Sequence, residues 1–313
     1  MSTRFAERRI RTVALLVNPA AGGGARGRVA DRGESRLRSH RIEVTRLVGT
    51  DADTSLLLAR RAVADGVDAL VVCGGDGMVS LAVKATVHSE VPVGIIPAGT
   101  GNDLARDYGI PLGDPEAAAD VVAAGLVEKV DLGQATPDGG PAQVFGSILC
   151  AGLDSKVNRR VNEMRLLRGP LRYVVAAGLE FPFYRPRRFR MMFDVGLHTE
   201  ETVETEVLLS AFAITRSYGG DMKIAPEADR ADGLFDVVYV GDIPKFRFVR
   251  HFPKIYSGRH LGLDGVITRR CRTVRLEASD VEAFADGDPV APLPVAVEVL
   301  PGAGRFLVPH KSH

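Results

Sequence analysis

The chain has 313 residues, 45% of them apolar and 25% charged, with a net charge of +1. Such a composition belongs to soluble globular proteins, and such a length to one large or two ordinary domains. The balanced charge and the absence of tryptophan exclude a strongly basic, base-stacking nucleic-acid binder, though not a local basic patch. Three widely spaced cysteines, Cys73, Cys150 and Cys271, suit buried thiols in a reducing compartment rather than a disulfide frame or a zinc site. No run approaches the ~18 apolar residues of a spanning helix, and the apolar run 13–17 is too short for a signal peptide. The expectation is a cytoplasmic protein whose membrane contact, if any, is peripheral.

Residues 13–17 form a continuous apolar run, the pattern of a strand buried on both faces. A glycine-rich loop, 18–24, ends it, and 25–39 reads as an arginine-rich helix. Residues 41–48 alternate as a strand does, and 53–65 is helical. Residues 69–73 are the third strand, and Gly74-Gly75-Asp76-Gly77 follows, leading into a helix that begins Met78-Val79-Ser80. Residues 92–96 are the fourth strand, ending in Pro97-Ala98-Gly99-Thr100-Gly101-Asn102-Asp103, and 115–124 is a further helix. Strands alternating with helices predict a doubly wound parallel sheet, whose ligands bind at the carboxyl ends of the strands. Three glycine-bearing loops, 18–24, 74–77 and 99–103, fall at such ends.

Near Leu126 the pattern changes. Short strand-like runs at 144–150, 189–195, 203–214, 234–240, 273–276 and 295–300 are separated by turns, several of them Asp-Gly. Helical islands lie near 156–165, 171–179 and 244–256. We therefore expect an α/β domain over residues 1–125 and a mostly antiparallel β-sandwich over 126–313, the last residues returning to the first domain.

The loop at 74–77 defines the chemistry. Glycines let backbone N–H groups approach a bulky anion, and the helix that follows adds its positive end. Asp76 would repel a bare phosphate, so it fits a metal–phosphate or a sugar hydroxyl. Taken alone, the loop is equally a strand-to-helix turn with an Asp cap. The formal G-x-G-x-x-G at 22–27 is a weak dinucleotide signal, because Asn18-Pro19 separates it from the strand and no acid closes the second strand. A Walker P-loop and a protein-kinase H-R-D triplet are both missing from the sequence.

Asn18-Pro19, Gly74-Gly75-Asp76-Gly77, Gly99-Thr100-Gly101-Asn102-Asp103 and Asp286-Gly287-Asp288 occur in that order. Together they resemble the diacylglycerol kinase catalytic fold shared by bacterial lipid kinases, sphingosine kinases and ceramide kinases, over nearly the whole chain. Thr215-Arg216-Ser217-Tyr218-Gly219-Gly220 makes the chain most similar to soluble actinobacterial diacylglycerol kinases. The resemblance implies ATP between two domains, contacted by Asn18, Pro19, Ala20, Ala21 and Gly22, by Thr50, by Gly74, Gly75, Asp76, Gly77, Met78, Val79 and Ser80, and by Thr100. Asp76 would stand beside the Mg²⁺ that bridges the phosphates. Asp286 or Asp288 would be the base for the acceptor hydroxyl; the motif usually reads Asp-Gly-Glu, and position in the motif favours Asp288. The resemblance further implies a structural Mg²⁺ held by the Asp232 side chain with the carbonyls of Asp229 and Leu234, and is compatible with a homodimer. The glycine motif departs at Met78, where threonine is usual, and at Ser80, where asparagine is usual.

The acceptor implied is diacylglycerol or a similar membrane lipid, converted to its phosphate. Two stretches mix basic and aromatic residues as a membrane surface requires. Residues 159–190 carry nine arginines, and 245–260 carry five Lys or Arg and no acid. The same residue types serve nucleic acid or an ordinary solvated face. Alternatives are another lipid alcohol (a sphingoid base, ceramide, monoacylglycerol or an isoprenoid-type alcohol), NAD⁺ (NAD kinases share the Gly-Gly-Asp-Gly loop), or a catalytically silent nucleotide- or lipid-binding regulator.

Overall fold

A computed structural model describes residues 4–17, 25–164 and 171–310. The chain divides into two compact units, one of residues up to Val130 with those from Gly302 onward, the other Asp131–Pro301.

The first unit is built on four parallel strands in the order Val93–Pro97, Ala69–Gly74, Thr12–Val17 and Glu43–Val48. Ala69–Gly74 is buried along its whole length, as its unbroken apolar run requires of a central parallel strand. Helices Ala25–Ser39, Ala52–Ala64, Asp76–Thr86 and Pro115–Ala124 connect these strands or follow them. Their ends obey local chemistry. Asp51 caps the second helix by accepting from Thr54 N at 2.8 Å. Asp114 caps the helix opened by Pro115, and Gly125 ends it in the left-handed region (φ 71°). A side chain on Gly125 would meet the carbonyl of Arg8 at 1.9 Å.

The second unit is antiparallel. Its long strand Glu201–Ala213 pairs along its first half with Arg187–Phe193 and along its second with Ile148–Gly152. Phe235–Gly241 lies along its other edge and pairs in turn with Val266–Cys271. Glu282–Ala285 joins Ile148–Gly152 and forms a hairpin with Asp288–Pro292. One apolar core contains Phe145, Phe189, Phe212 and Phe235. A second lies under the helices Leu153–Glu163 and Lys245–His251 and includes Val161, Leu208 and Ile255.

Three expectations need correction. Residues 144–150 are not one strand; Gln143–Phe145 and Ile148–Gly152 are separated by Gly146 and Ser147, whose amides bond to a side chain instead of a neighbouring strand. Leu126–Pro137 is a strand where only a change of character was anticipated. Residues 244–256 split into the Lys245–His251 helix and a 3-10 turn, Phe252–Ser257, because Pro253 cannot donate the next helical bond. The three cysteines are free and buried as expected, and burial pushes the Cys73 thiol up to about 11.

Candidate active site

In the first unit the sheet register brings the loops together. Val17 is level with Val48 and Cys73, and Gly74 with Pro97. The segments beginning at Gly49, Gly75 and Ala98 therefore leave one edge of the sheet. Asn18, Pro19, Ala20, Ala21 and Gly22, assigned to ATP from the sequence, lie outside the described residues.

Gly75 and Gly99 explain each other. A Cβ on Gly99 would stand 2.4 Å from the Cα of Gly75 and 2.8 Å from Asn102 Oδ1. Asn102 holds the turn at φ 54°, accepting from Gly99 N and donating to Gly99 O, both at 3.0 Å. The two loops thus touch backbone to backbone. Gly77 is different: it is exposed, with open space where a side chain would go. It marks the side from which an anion can reach the positive end of the Asp76–Thr86 helix.

Asp76 opens that helix and is partly buried. Its Oδ1 accepts from Leu104 N at 3.2 Å. Burial, and then the charge of Asp103, raise its carboxyl above the ordinary range. Asp103 is buried and is met by Arg106 at 3.0 Å, and the same guanidinium donates to Gly101 O at 3.2 Å. The charge of Asp103 acting on Asp76 is a repulsion that a divalent cation would relieve. Thr50 and Thr100 are both exposed, and Thr50 donates to Asp51 Oδ2 at 2.9 Å.

Met78, Val79 and Ser80 are buried. Met78 folds back over Gly74, where a Cβ would meet Met78 Cγ at 2.5 Å. Its side chain is therefore packed against Gly74 and buried. Ser80 Oγ is buried without a hydrogen-bond partner among the described residues. The amides of Met78 and Val79 donate to Gly75 O, at 2.9 and 3.3 Å.

In the second unit Asp286 sits at φ 51° in the turn before Asp288–Pro292. Both its oxygens accept backbone amides, from Gly146 and Ser147, at 2.9 Å. Its own amide donates to Ile148 O, and Asn162 donates to Gly287 O at 3.1 Å. Asp286 is oriented by these bonds, whereas Asp288 is exposed. The loop at Asp229, Asp232 and Leu234 closes on itself. Asp232 Oδ1 accepts from Leu234 N, Asp232 Oδ2 is held by Arg270, and Asp229 Oδ1 accepts from Ala231 N. As the loop stands, its carboxylates fit protein donors better than a metal, and Arg270 would have to withdraw to admit one. Among the described residues no three His, Cys, Asp or Glu side chains are grouped to hold a metal.

The sequence reading passed over Asp154. It follows strand Ile148–Gly152 in the first turn of helix Leu153–Glu163, and its Oδ2 accepts from Tyr218 OH at 2.7 Å. Burial pushes its carboxyl up to about 6. The signal was available: strand, glycine, then Asp at the helix start repeats the grammar of Gly74-Gly75-Asp76.

Comparison with known proteins fits these units. Residues 12–135 match the diacylglycerol kinase catalytic domain, and 147–308 match the YegS C-terminal NAD kinase beta sandwich-like domain. That pairing defines a lipid kinase, a phosphotransferase for which ATP is the phosphoryl donor. The chain is 42% identical to a diacylglycerol kinase of Mycobacterium tuberculosis over 95% of both chains. It is 28% identical to a diacylglycerol kinase of Bacillus subtilis over 74% of each. A solved diacylglycerol kinase of Bacillus anthracis shares its fold, with a TM-score of 0.71 at 18% identity over 98% of both chains. The chain belongs to the diacylglycerol kinase family.

Proposed function

We propose that this protein transfers the γ-phosphoryl group of ATP to the free hydroxyl of diacylglycerol, giving phosphatidic acid and ADP. The choice of acceptor rests on the likeness to the Mycobacterium tuberculosis diacylglycerol kinase, which extends along 95% of both chains. The helix starting at Asp76 and the loops at Thr50 and Thr100 hold the phosphates, with Gly77 leaving room for them. Asp76 would hold Mg²⁺, which would supply charge neutralisation for the phosphates. One carboxylate of Asp286-Gly287-Asp288 takes the acceptor's proton as its oxygen bonds to the γ-phosphorus and the bond to the β-phosphate oxygen breaks. Transfer of this kind depends on alignment and electrostatics more than on covalent participation by the protein.

The acceptor lies in a bilayer, while no helix among the described residues is long and apolar enough to cross one. The protein therefore works at the membrane surface, on the cytoplasmic face where ATP is supplied. The test is radiolabelled ATP offered with mixed micelles of diacylglycerol, monoacylglycerol, ceramide or a sphingoid base, and with NAD⁺ in solution. Labelled phosphatidic acid is expected. Label in another lipid, or in NAD⁺ as the resemblance of the second unit to a NAD kinase sandwich would allow, replaces the acceptor. Retained ATP binding with no transfer to any of them overturns the kinase reading.

A further inference from the structure

The second unit carries an exposed apolar tip that neither core absorbs. Phe183 is 85% exposed, Phe246 70%, Val249 58% and Leu179 50%. They come from two segments far apart in sequence, the end of helix Leu171–Glu180 and helix Lys245–His251. The segments are fastened together directly behind the exposed residues. Phe181 stacks on Phe248 with ring centroids 4.9 Å apart, and Phe248 leans on Phe252 at 5.7 Å. Lys245 donates to Pro182 O and lies 5.8 Å from the centre of the Phe181 ring. Each fastening residue adjoins an exposed one: Pro182 precedes Phe183, and Lys245 precedes Phe246.

The helix therefore has two faces. Phe248 and Phe252 pack inward on the second core. Phe246 and Val249, three apart, project outward together, and Tyr256, in the 3-10 turn that follows, is 42% exposed. Helix Lys245–His251 has no buried residue at all. Arg247, Arg250 and Lys254 belong to the same helix and turn, and among the described residues none of them forms an ion pair. No acidic residue occurs from 245 to 263.

Apolar side chains held outward on a braced tip and edged by unpaired cations match one environment, an anionic lipid surface. We propose that Leu179, Phe183, Phe246 and Val249 insert into an anionic bilayer while Arg247, Arg250 and Lys254 lie on its headgroups. This deepens the proposed function, on which it rests, by naming the surface that meets the substrate's membrane. Of the aromatic residues noted from sequence in the two stretches, Tyr184 is buried and Phe181, Phe248 and Phe252 brace the tip.

The experiment is co-sedimentation with phosphatidylcholine vesicles, with and without phosphatidylglycerol, for the wild type, F183S/F246S and R247Q/R250Q. Each is assayed in parallel on a water-soluble short-chain diacylglycerol. The wild type is expected to prefer the anionic vesicles and to release with salt. F183S/F246S should lose on the order of tenfold or more in partitioning. R247Q/R250Q should lose the preference for anionic over neutral lipid. Turnover of the soluble substrate should be unchanged in both. Variants that sediment like the wild type overturn the proposal, as does a wild type that ignores both vesicles. A lipid-free dimer dissociated by F183S/F246S would also overturn it and assign the tip to a second copy. Vesicle binding lost in the variants, with no lipid phosphorylated by the wild type, leaves the surface standing and removes the kinase reading.

Discussion

Asp154→Asn is expected to make the protein more stable at neutral pH and to leave it unchanged in acid. The carboxyl is partly buried, and burial raises it from an ordinary 3.8 to about 6, against the opposing effect of the Tyr218 hydroxyl. Below the ordinary value both folded and unfolded chains hold the proton, and the group costs nothing. Between there and about 6 the unfolded chain ionises while the folded one keeps its proton, so stability falls as pH rises and stays lower above that window. Moving the carboxyl from 3.8 to about 6 corresponds to ~3 kcal/mol, and partial exposure to water reduces this to about 1–3 kcal/mol. Asparagine keeps an oxygen for Tyr218 and cannot ionise. Urea unfolding followed by circular dichroism should therefore show the variant ahead by that amount near pH 7–8, with the gap closing towards pH 4. A variant no more stable at neutral pH, or one whose advantage is the same at every pH, would refute the reasoning.

Four further substitutions test the proposed nucleotide loops and the proposed base. Asp76→Asn removes a carboxylate that burial and Asp103 disfavour. It should leave the melting temperature equal or higher, yet abolish turnover and the thermal shift produced by Mg²⁺ with ATP; an unchanged shift would remove Asp76 from the nucleotide site. Gly99→Ala puts a methyl group 2.4 Å from the Gly75 backbone, so titration with an ATP analogue should show affinity reduced by about tenfold or more, the loops being forced apart. Asp286→Asn leaves one of two backbone amides facing an amide nitrogen, and chemical unfolding should report a loss of about 1–3 kcal/mol. Asp288→Asn, at an exposed position, should stay within about 0.5 kcal/mol. Of these two variants, the one whose kcat falls by ~10²–10⁴ with its ATP affinity intact identifies the base.

Much of this fold is legible in the chain because its signals are local. The continuous apolar runs ending at Val17 and Cys73 can only be central parallel strands, and the capping residues Asp51 and Asp114 stand immediately before their helices. What escapes the sequence depends on partners far away. The break at Gly146 and Ser147 follows from Asp286, some 140 residues on. Met78 looks like a lost hydroxyl until Gly74 is seen beneath it, offering a space that only a missing side chain leaves. The short strands Glu282–Ala285 and Asp288–Pro292 carry too few residues to show an alternation of their own; pairing with Ile148–Gly152 places the first of them, and the first then places the second.

The contact between Gly75 and Gly99 also constrains how this site can change. Where a new side chain collides with another side chain, trimming the neighbour restores the fit. Here the nearest obstacle to a Cβ on Gly99 is an α-carbon, and no substitution makes an α-carbon smaller. A genetic screen for second-site revertants of Gly99→Ala should therefore return the original glycine or distant changes that let a whole loop shift, and no compensating exchange at position 75. The two glycines behave as one inherited unit, although 24 positions separate them in the chain.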